Sequence, residues 1–304
     1  MFVSSREEEK IHSHKGDADI PLNAFETARG RFWTFKGLRK YVKARRELIY
    51  GLSRINTGEA IETALYLSAR LMWLDPKDAM CIRSIVPVLL LRSRRDQQAY
   101  NFCKWWLTTG NDTHHEWEYG EPPYLKTNDS DAFEHVGYFE HVWRGTDDDE
   151  RRTIMPSPAD LSHLVAIMLV KVRIFLDLRF LHYDDSPETF TEKYRSSIVL
   201  DLYKKSLPYG NPLRSDMNLY DGLAYHVREL YRVVDRVNKH FWPALLASGH
   251  GKNLEIRQGP STMGSRGEAI VTLEDYYDAW AETPNAINFV RTITEEKQRS
   301  PHWK

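Results

Sequence analysis

The most informative local pattern in this chain is the sequence ALYLSARLMWLDP at residues 64–76. A small residue, Ala64, comes first, an apolar helical stripe follows, and Pro76 comes last. Because a proline disfavours helix in the residue before it, we expect this helix to stop at Leu74 or Asp75. Two helix axes approach to about 8–10 Å only where side chains are short, as at Ala64. The stretch therefore predicts one helix of a closely packed helical hairpin.

Helical periodicity extends to both sides of this stretch. Apolar residues recur at three- and four-residue intervals over much of 24–54, and further helices are expected at 78–92 and 96–107. Four helices with short connections within about seventy residues are typical of stacked helical hairpins. Ala99 lies thirty-five residues after Ala64, so the pattern recurs once.

The second half of the chain also favours helix. A strong apolar helix is predicted from Ala159 to His182, and it should be the central helix of this half. Further helices are expected at 190–207 and 215–237, followed by a closing pair at 265–282 and 284–298. Strand signals are few, so the predicted fold class is all-α.

An acidic, aromatic-rich segment interrupts the helical pattern. Residues 108–150 hold twelve acidic side chains against two basic ones and lack helical periodicity. A connection of this length with little regular structure is unusual, and such segments often bind ligands or act as lids. The chain is therefore divided into a flexible tail at 1–22, helical hairpins at 23–108, an irregular acidic insertion at 109–157 and a C-terminal helical module at 158–304.

Composition limits the classes of function. The 304 residues carry 42 basic and 43 acidic side chains, a formal charge of −1, which gives no overall case for binding nucleic acid or a membrane. Cys81 and Cys103 are too few for a disulfide framework or a four-cysteine zinc site. The N-terminus lacks an apolar signal segment, and the apolar run at 161–181 is interrupted by charges. We expect a protein of the cytoplasm or nucleus.

Common catalytic motifs are absent from the sequence. It contains no glycine-rich phosphate-binding loop, no His-Glu-x-x-His and no Gly-x-Ser-x-Gly. Both cysteines fall in predicted helices, where a buried structural thiol is the expected role. We therefore assign no catalytic residue and no cofactor from sequence.

Several short segments carry a resemblance to a known family. In the first half they are Glu26-Thr-Ala-Arg29, Arg39-Lys-Tyr41-Val-Lys-Ala-Arg45, Leu74-Asp-Pro-Lys-Asp78 and Arg95-Asp96-Gln-Gln-Ala99-Tyr100. In the second half they are Asn238-Lys-His240-Phe-Trp-Pro-Ala-Leu-Leu246, Gly264-Ser265, Glu268-Ala269 and Trp280-Ala-Glu-Thr283-Pro284-Asn-Ala286. Together they resemble a tetratricopeptide-like helical repeat family. That family includes suppression-of-tumorigenicity-type proteins and the helical part of fungal and algal MYND-associated proteins.

The resemblance implies a fold rather than an activity. It implies tetratricopeptide-like stacked helical hairpins that form an α-solenoid, and the family has no agreed catalytic activity. The sequence departs from the repeat pattern at Pro87, where glycine is typical, and at Arg83 and Cys103, where aromatic residues are typical. The cysteines of a MYND zinc finger are absent, so zinc does not carry over.

The leading functional prediction is a non-enzymatic scaffold that binds another protein. In a solenoid of hairpins the inner face comes from the first helix of each pair. An apolar floor flanked by arginines suits a peptide or tail that bears acidic side chains. On the repeat register, the residues that line this inner groove are Arg46, Ile49, Ser53, Ser84, Val88 and Arg92.

A metal-dependent enzyme is the first alternative. The sequence Phe133-Glu-His135-Val is echoed six residues later by Phe139-Glu-His141-Val. In an extended chain this even spacing places both histidines on one face. Imidazole and carboxylate together suit zinc and other divalent ions, so His135, His141 and acids of the 112–150 segment form the alternative metal site.

An RNA-associated factor is the second alternative, because residues 29–54 are strongly basic and include a few aromatic side chains. The near-zero net charge makes nucleic acid the less favoured partner.

Two charged residues fall in the apolar helix that is predicted from Ala159 to His182. We expect Lys171 to extend its ammonium to the helix edge, and Arg173 to pair with Asp177 four residues later.

Overall fold

The computed structural model describes residues 2–110, 130–139, 160–183, 196–206, 217–248 and 261–299. Within these ranges all the regular structure is helical and no strand occurs, which confirms the predicted all-α class. The α-helices are α1 (Phe2–His12), α2 (Ala24–Thr27), α3 (Arg39–Ser53), α4 (Gly58–Leu74), α5 (Val86–Arg92), α6 (Asp96–Trp105), α7 (Leu161–Tyr183), α8 (Ser197–Ser206), α9 (Met217–Val237), α10 (Phe241–Ala247), α11 (Arg266–Ala281) and α12 (Ala286–Arg299).

The hairpin of α3 and α4 follows the sequence pattern. The Thr57 side chain accepts a hydrogen bond from the Ala60 N–H at 3.3 Å and caps the start of α4. The helix ends at Leu74, where the Asp75 N–H still bonds to the Leu71 carbonyl before Pro76. Ala64 is fully buried in this hairpin. The predicted end of the helix is confirmed, and the small residue Ala64 is buried.

The next predicted helix, at 78–92, is shorter than expected. Asp78 and Cys81 have positive φ values of 53° and 55°, a left-handed conformation that a continuous right-handed helix cannot contain. The Asp78 carboxylate accepts the N–H groups of Ile82 and Arg83 at 2.7 and 2.8 Å. These two hydrogen bonds cap the beginning of a 3₁₀ turn at Ile82–Ser84, and this turn leads into α5.

The N-terminal segment is not a flexible tail over residues 2–12. These residues form α1, which packs against α3 and buries Ile11. The Glu8 carboxylate accepts a hydrogen bond from Arg45 at 2.7 Å and lies 3.3 Å from the Arg70 guanidinium. The segment predicted to be a flexible tail therefore supplies the carboxylate of Glu8 that pairs with the buried Arg45 of α3.

The helix α7, predicted to be the central helix of the second half, contacts helices from both halves of the chain. Residues 164–170 are all completely buried, because α7 packs against α5, α6, α8, α9, α11 and α12. A helix that is apolar all round its circumference is one enclosed by other helices. In a solenoid each repeat contacts only its neighbours, whereas α7 contacts helices from both halves of the chain.

The family-like segments of the second half meet in one structural unit. The Asn238 side-chain amide donates to the Ser265 carbonyl at 2.9 Å and to the Glu268 carboxylate at 2.8 Å. The Ser265 hydroxyl accepts the Glu268 N–H at 3.1 Å and caps α11. Trp242 and Trp280 pack edge to face with centroids 5.8 Å apart. These segments therefore build the C-terminal core.

Most of the predicted acidic insertion at 109–157 lies outside the described residues, at 111–129 and 140–157. The irregular structure expected for these residues therefore stays a prediction. Within the described ranges, none of the helices combines the length and the apolar composition that a bilayer-spanning segment requires.

Candidate functional site

The predicted inner groove is filled by the chain itself. Ile49 and Val88 are 0% and 1% exposed, and α11 packs against α5. Tyr276 of α11 donates its hydroxyl to the Ser84 carbonyl at 3.1 Å. Ser53 is also buried. The predicted binding groove is therefore not open at Ile49, Ser53 and Val88, because α11 occupies that surface.

The two arginines of the predicted groove are engaged within the chain. The Arg46 Nε donates to the Met80 carbonyl at 3.2 Å, and its guanidinium lies 4.5 Å from the centre of the Tyr50 ring. The Arg92 side chain is 3% exposed and donates from Nη1 to the Ser53 carbonyl at 2.7 Å. Both arginines tie α3 to the following hairpin.

The alternative metal site is not supported by the described part. His141 lies outside the described residues. His135 is exposed and meets the rings of Tyr225 and His226, with centroids 5.7 and 5.1 Å away. The Lys171 Nζ lies 3.5 Å from His226 Nδ1, and an ammonium at this distance repels a divalent cation. Among the described residues, no group of three or more metal-ligating side chains converges.

The basic stretch at 29–54 has aromatic rings that are covered by its own arginines. The Arg39 guanidinium lies 5.3 Å from the centre of the Trp33 ring, and Arg31 lies 5.7 Å from that of Phe35. Base stacking by a nucleic acid needs open aromatic faces. The arrangement gives the RNA alternative no added support.

Lys171 does not extend to the helix edge as expected. It is fully buried and donates from Nζ to the Glu134 carbonyl at 2.6 Å. The Glu134 carboxylate in turn accepts Lys104 Nζ at 2.6 Å and the Tyr100 hydroxyl at 2.7 Å. The cluster fastens residues 130–139 to α6, α7 and α9.

Burial governs the titration of this cluster. Removal from water lowers the pKa of Lys171 from 10.5 to about 8. Burial, and next the nearby Lys171 charge, lower the pKa of His226 to about 4. At neutral pH the Lys171 ammonium is therefore charged although it is removed from water, and the His226 imidazole is neutral.

The Lys171 pKa predicts how stability changes with pH. Between about pH 8 and 10 Lys171 is protonated in the unfolded chain and neutral in the folded chain, so it contributes a rise in the free energy of unfolding with pH. Burial raises the pKa of the Cys103 thiol, which contributes in the opposite direction, so the Lys171 contribution is the difference between the parent and a variant that lacks this lysine. A pKa difference of 2.5 units corresponds to a rise of about 3 kcal/mol. Lys171→Met, which does not titrate, should lack this rise. Urea unfolding of both proteins across this range measures it, and equal slopes would contradict the assignment.

Arg173 also differs from its predicted pairing. Its guanidinium donates to the Asp96 carboxylate at 2.6 Å, and not to Asp177. It also donates to the Leu91 carbonyl at 3.0 Å and to the Thr283 hydroxyl at 2.9 Å. The i, i+4 spacing indicated a surface pair, but the side chain instead joins three helices and the turn after α11.

A cleft of about 1000 Å³ opens beside this junction. It lies between the end of α5, the C-terminal half of α7, the starts of α8 and α9, and the α11–α12 region. We call it the arginine cleft, because five arginines line it against three carboxylates. They are Arg92, Arg94, Arg173, Arg179 and Arg228, with Asp177, Glu282 and Glu296.

Two of the cleft arginines present exposed side chains. Arg173 is paired with Asp96, and Arg228 lies 3.3 Å from the Glu296 carboxylate. Arg94 and Arg179 are exposed at the cleft, beside the exposed Glu282. Arginines outnumber carboxylates in the lining, so an acidic ligand would meet Arg94 and Arg179 at its surface.

The floor of the arginine cleft is aromatic. Phe175 stacks between Tyr220 and Phe289, with ring centroids 4.8 and 4.9 Å away. Ser196 also lines the cleft; its hydroxyl is buried and has no hydrogen-bond partner in the described structure. A buried polar group without a partner is rare. The cleft thus combines apolar rings, exposed cations and a hydroxyl that an incoming acceptor could satisfy.

No family model, curated protein or solved structure matches this chain. The cleft residues come from segments far apart in sequence, so no local motif marked them. One signal was present: Arg179 is an exposed charge near the end of a predominantly apolar helix.

Proposed function

We propose that this chain is a non-enzymatic helical scaffold that binds an acidic segment of another protein in the arginine cleft. The observation that carries the proposal is the pairing of exposed Arg94 and Arg179 with the Phe175 stack in one cleft. Guanidinium groups recognise carboxylates in bidentate geometry. The rings offer a site for an apolar side chain next to the acids.

The first half supports a tetratricopeptide-like arrangement as part of the same proposal. Consecutive helices from α3 to α6 pack as hairpins, and Ala64 and Ala99 are both fully buried. Cys81 and Cys103 are free thiols, which suits a reducing compartment such as the cytoplasm or nucleus.

A labelled peptide tests the binding site. The probe is a fluorescein-tagged peptide in which aspartates and glutamates flank one phenylalanine, and its anisotropy measures affinity. The double substitution Arg94→Glu and Arg179→Glu should weaken binding by at least about 10-fold, because it sets like charges against each other.

A charge-matched variant controls for the overall field. Lys40→Glu with Lys43→Glu makes the same change in net charge at two exposed positions of α3, outside the cleft. We expect it to leave affinity within about 3-fold of the parent, since exposed charges beyond a Debye length are largely screened. Equal losses in both double variants, or no binding to the parent, would reject the proposal.

A further inference from the structure

The outer face of α4 carries an exposed stripe that the arginine cleft does not use. Tyr66 is 62% exposed and Trp73 is 36% exposed, two helical turns apart on one face. Large apolar side chains exposed together on one face commonly mark interaction sites. We call this face the α4 stripe, and it consists of Glu59, Glu62, Tyr66, Ala69, Arg70 and Trp73.

Charge along the α4 stripe changes sign from one end to the other. Glu59 and Glu62 lie in its N-terminal part, and the Glu62 side chain is 48% exposed. Arg70 lies in its C-terminal part with a side chain 40% exposed. The Arg29 guanidinium adds a second cation there, 4.1 Å from the centre of the Trp73 ring.

This polarity makes the α4 stripe complementary to itself in one orientation. If two copies of α4 run antiparallel about a two-fold axis at Tyr66, positions equally distant from 66 face each other. Glu62 and Arg70 are each four residues from Tyr66, so the Glu62 carboxylate of one copy faces Arg70 of the other. Glu59 and Trp73 are each seven residues away, so Glu59 faces the Trp73 and Arg29 pair.

The centre of the α4 stripe suits close contact between two helices. Exposed Ala69 lies between Tyr66 and Trp73, and a small residue allows two helix axes to approach. By the same symmetry Ala69 faces Thr63 of the other copy, so short side chains lie on both sides of the two tyrosines at the axis. A two-fold interface of this kind is the commonest form of homo-oligomer contact.

We infer that the α4 stripe is a homodimer interface in which the α4 helices of two copies of this chain pack antiparallel. Two existing contacts can rearrange to allow it. Glu62 lies 2.6 Å from Arg95, and Arg70 lies 3.3 Å from Glu8. The Glu62–Arg95 pair is exposed and contributes little to stability. Glu8 keeps its bond to Arg45 when Arg70 turns away, so the exchange leaves no buried charge without a partner.

The dimer should be weak. One helix face buries less than the roughly 800 Å² per partner of a standard interface, so we expect the association to depend on concentration in the micromolar range and above. This inference goes beyond the proposed function, since no residue of α4 is among those that line the arginine cleft.

Sedimentation velocity of the full chain, from about 1 to 300 μM, tests the dimer. Tyr66→Glu sets two carboxylates against each other at the axis and should weaken association by at least about 10-fold. Tyr225→Glu, at another exposed tyrosine, should leave association unchanged. A monomer at every concentration, or equal association of the parent and Tyr66→Glu, would overturn the inference.

A charge swap tests the antiparallel geometry. Glu62→Arg and Arg70→Glu should each weaken association by about 5- to 10-fold, since each creates like-charge contacts twice in a two-fold dimer. The two changes combined restore opposite charges across the interface, so the double variant should associate like the parent. If the single variants associate like the parent, or the double variant remains as weak as the single variants, the assigned pairing is wrong.

Discussion

Replacing Asp96 by alanine should lower the free energy of unfolding by about 3–5 kcal/mol, because it leaves Arg173 as a buried charge without its carboxylate partner. Asp96 is 1% exposed. One carboxylate oxygen accepts Arg173 at 2.6 Å, and the other accepts the Ser197 N–H at 3.1 Å. A single side chain therefore joins α6, α7 and the start of α8.

Urea unfolding of three variants separates this junction from a general loss of charge. Asp201→Ala removes an exposed carboxylate of α8 and should change stability by no more than about 0.5 kcal/mol. Asp96→Leu combined with Arg173→Met removes both charges and should recover much of the loss, since apolar replacements of a buried pair are often tolerated. A loss below about 1 kcal/mol for Asp96→Ala would contradict the role of this pair.

Trp280→Ala should also cost about 3–5 kcal/mol, because it leaves a cavity in the C-terminal core. Trp280 is fully buried and lies against Trp242. It belongs to α11, the helix that fills the predicted groove, so the loss should be felt across both halves of the chain.

Trp73→Ala is the matched control for this change. Trp73 is 36% exposed, and the Arg29 guanidinium lies 4.1 Å from the centre of its ring. Truncation removes this cation–π contact and part of the buried apolar area, so we expect a loss of about 1–2 kcal/mol. Thermal or urea unfolding compares the two variants. Similar losses for both would show that α11 is not integrated into the core.

Local patterns predicted the elements that depend on local physics. The end of α4 at Leu74 follows from Pro76, and the central helix α7 follows from a long apolar run. The break at Asp78 and Cys81 was missed because neither position is glycine, and the left-handed conformation of Asp78 accompanies hydrogen bonds from its carboxylate that the apolar pattern does not show. The spacing of apolar residues carries no information about a side chain that caps a turn.

Contacts between distant segments were not predictable in the same way. The repeat register predicted that Ile49 and Val88 line an inner binding groove, but both are buried, and Tyr276, which helps to cover them, is 192 residues away from its bonding partner Ser84. A periodic pattern shows which residues avoid water but does not show which element shields them. For the same reason the sequence did not show that Arg173 pairs with Asp96 rather than with Asp177, four residues away.

The arginine cleft illustrates the same limit for function. Arg94 lies in a turn with φ 58°, Arg179 on α7, and Phe289 on α12. No spacing in the sequence relates these three positions. The charge and the apolar floor were expected features of a binding groove, but their location depended on the tertiary structure.

The most direct test of the central claim is hydrogen exchange of the full chain, with and without the acidic phenylalanine peptide. We expect slower exchange at the end of α7 and at the start of α12, which line the arginine cleft, and no change at residues 46–53 or 84–88. Slower exchange at 46–53 and 84–88 instead would place the peptide in the groove predicted from sequence, and it would contradict binding in the arginine cleft.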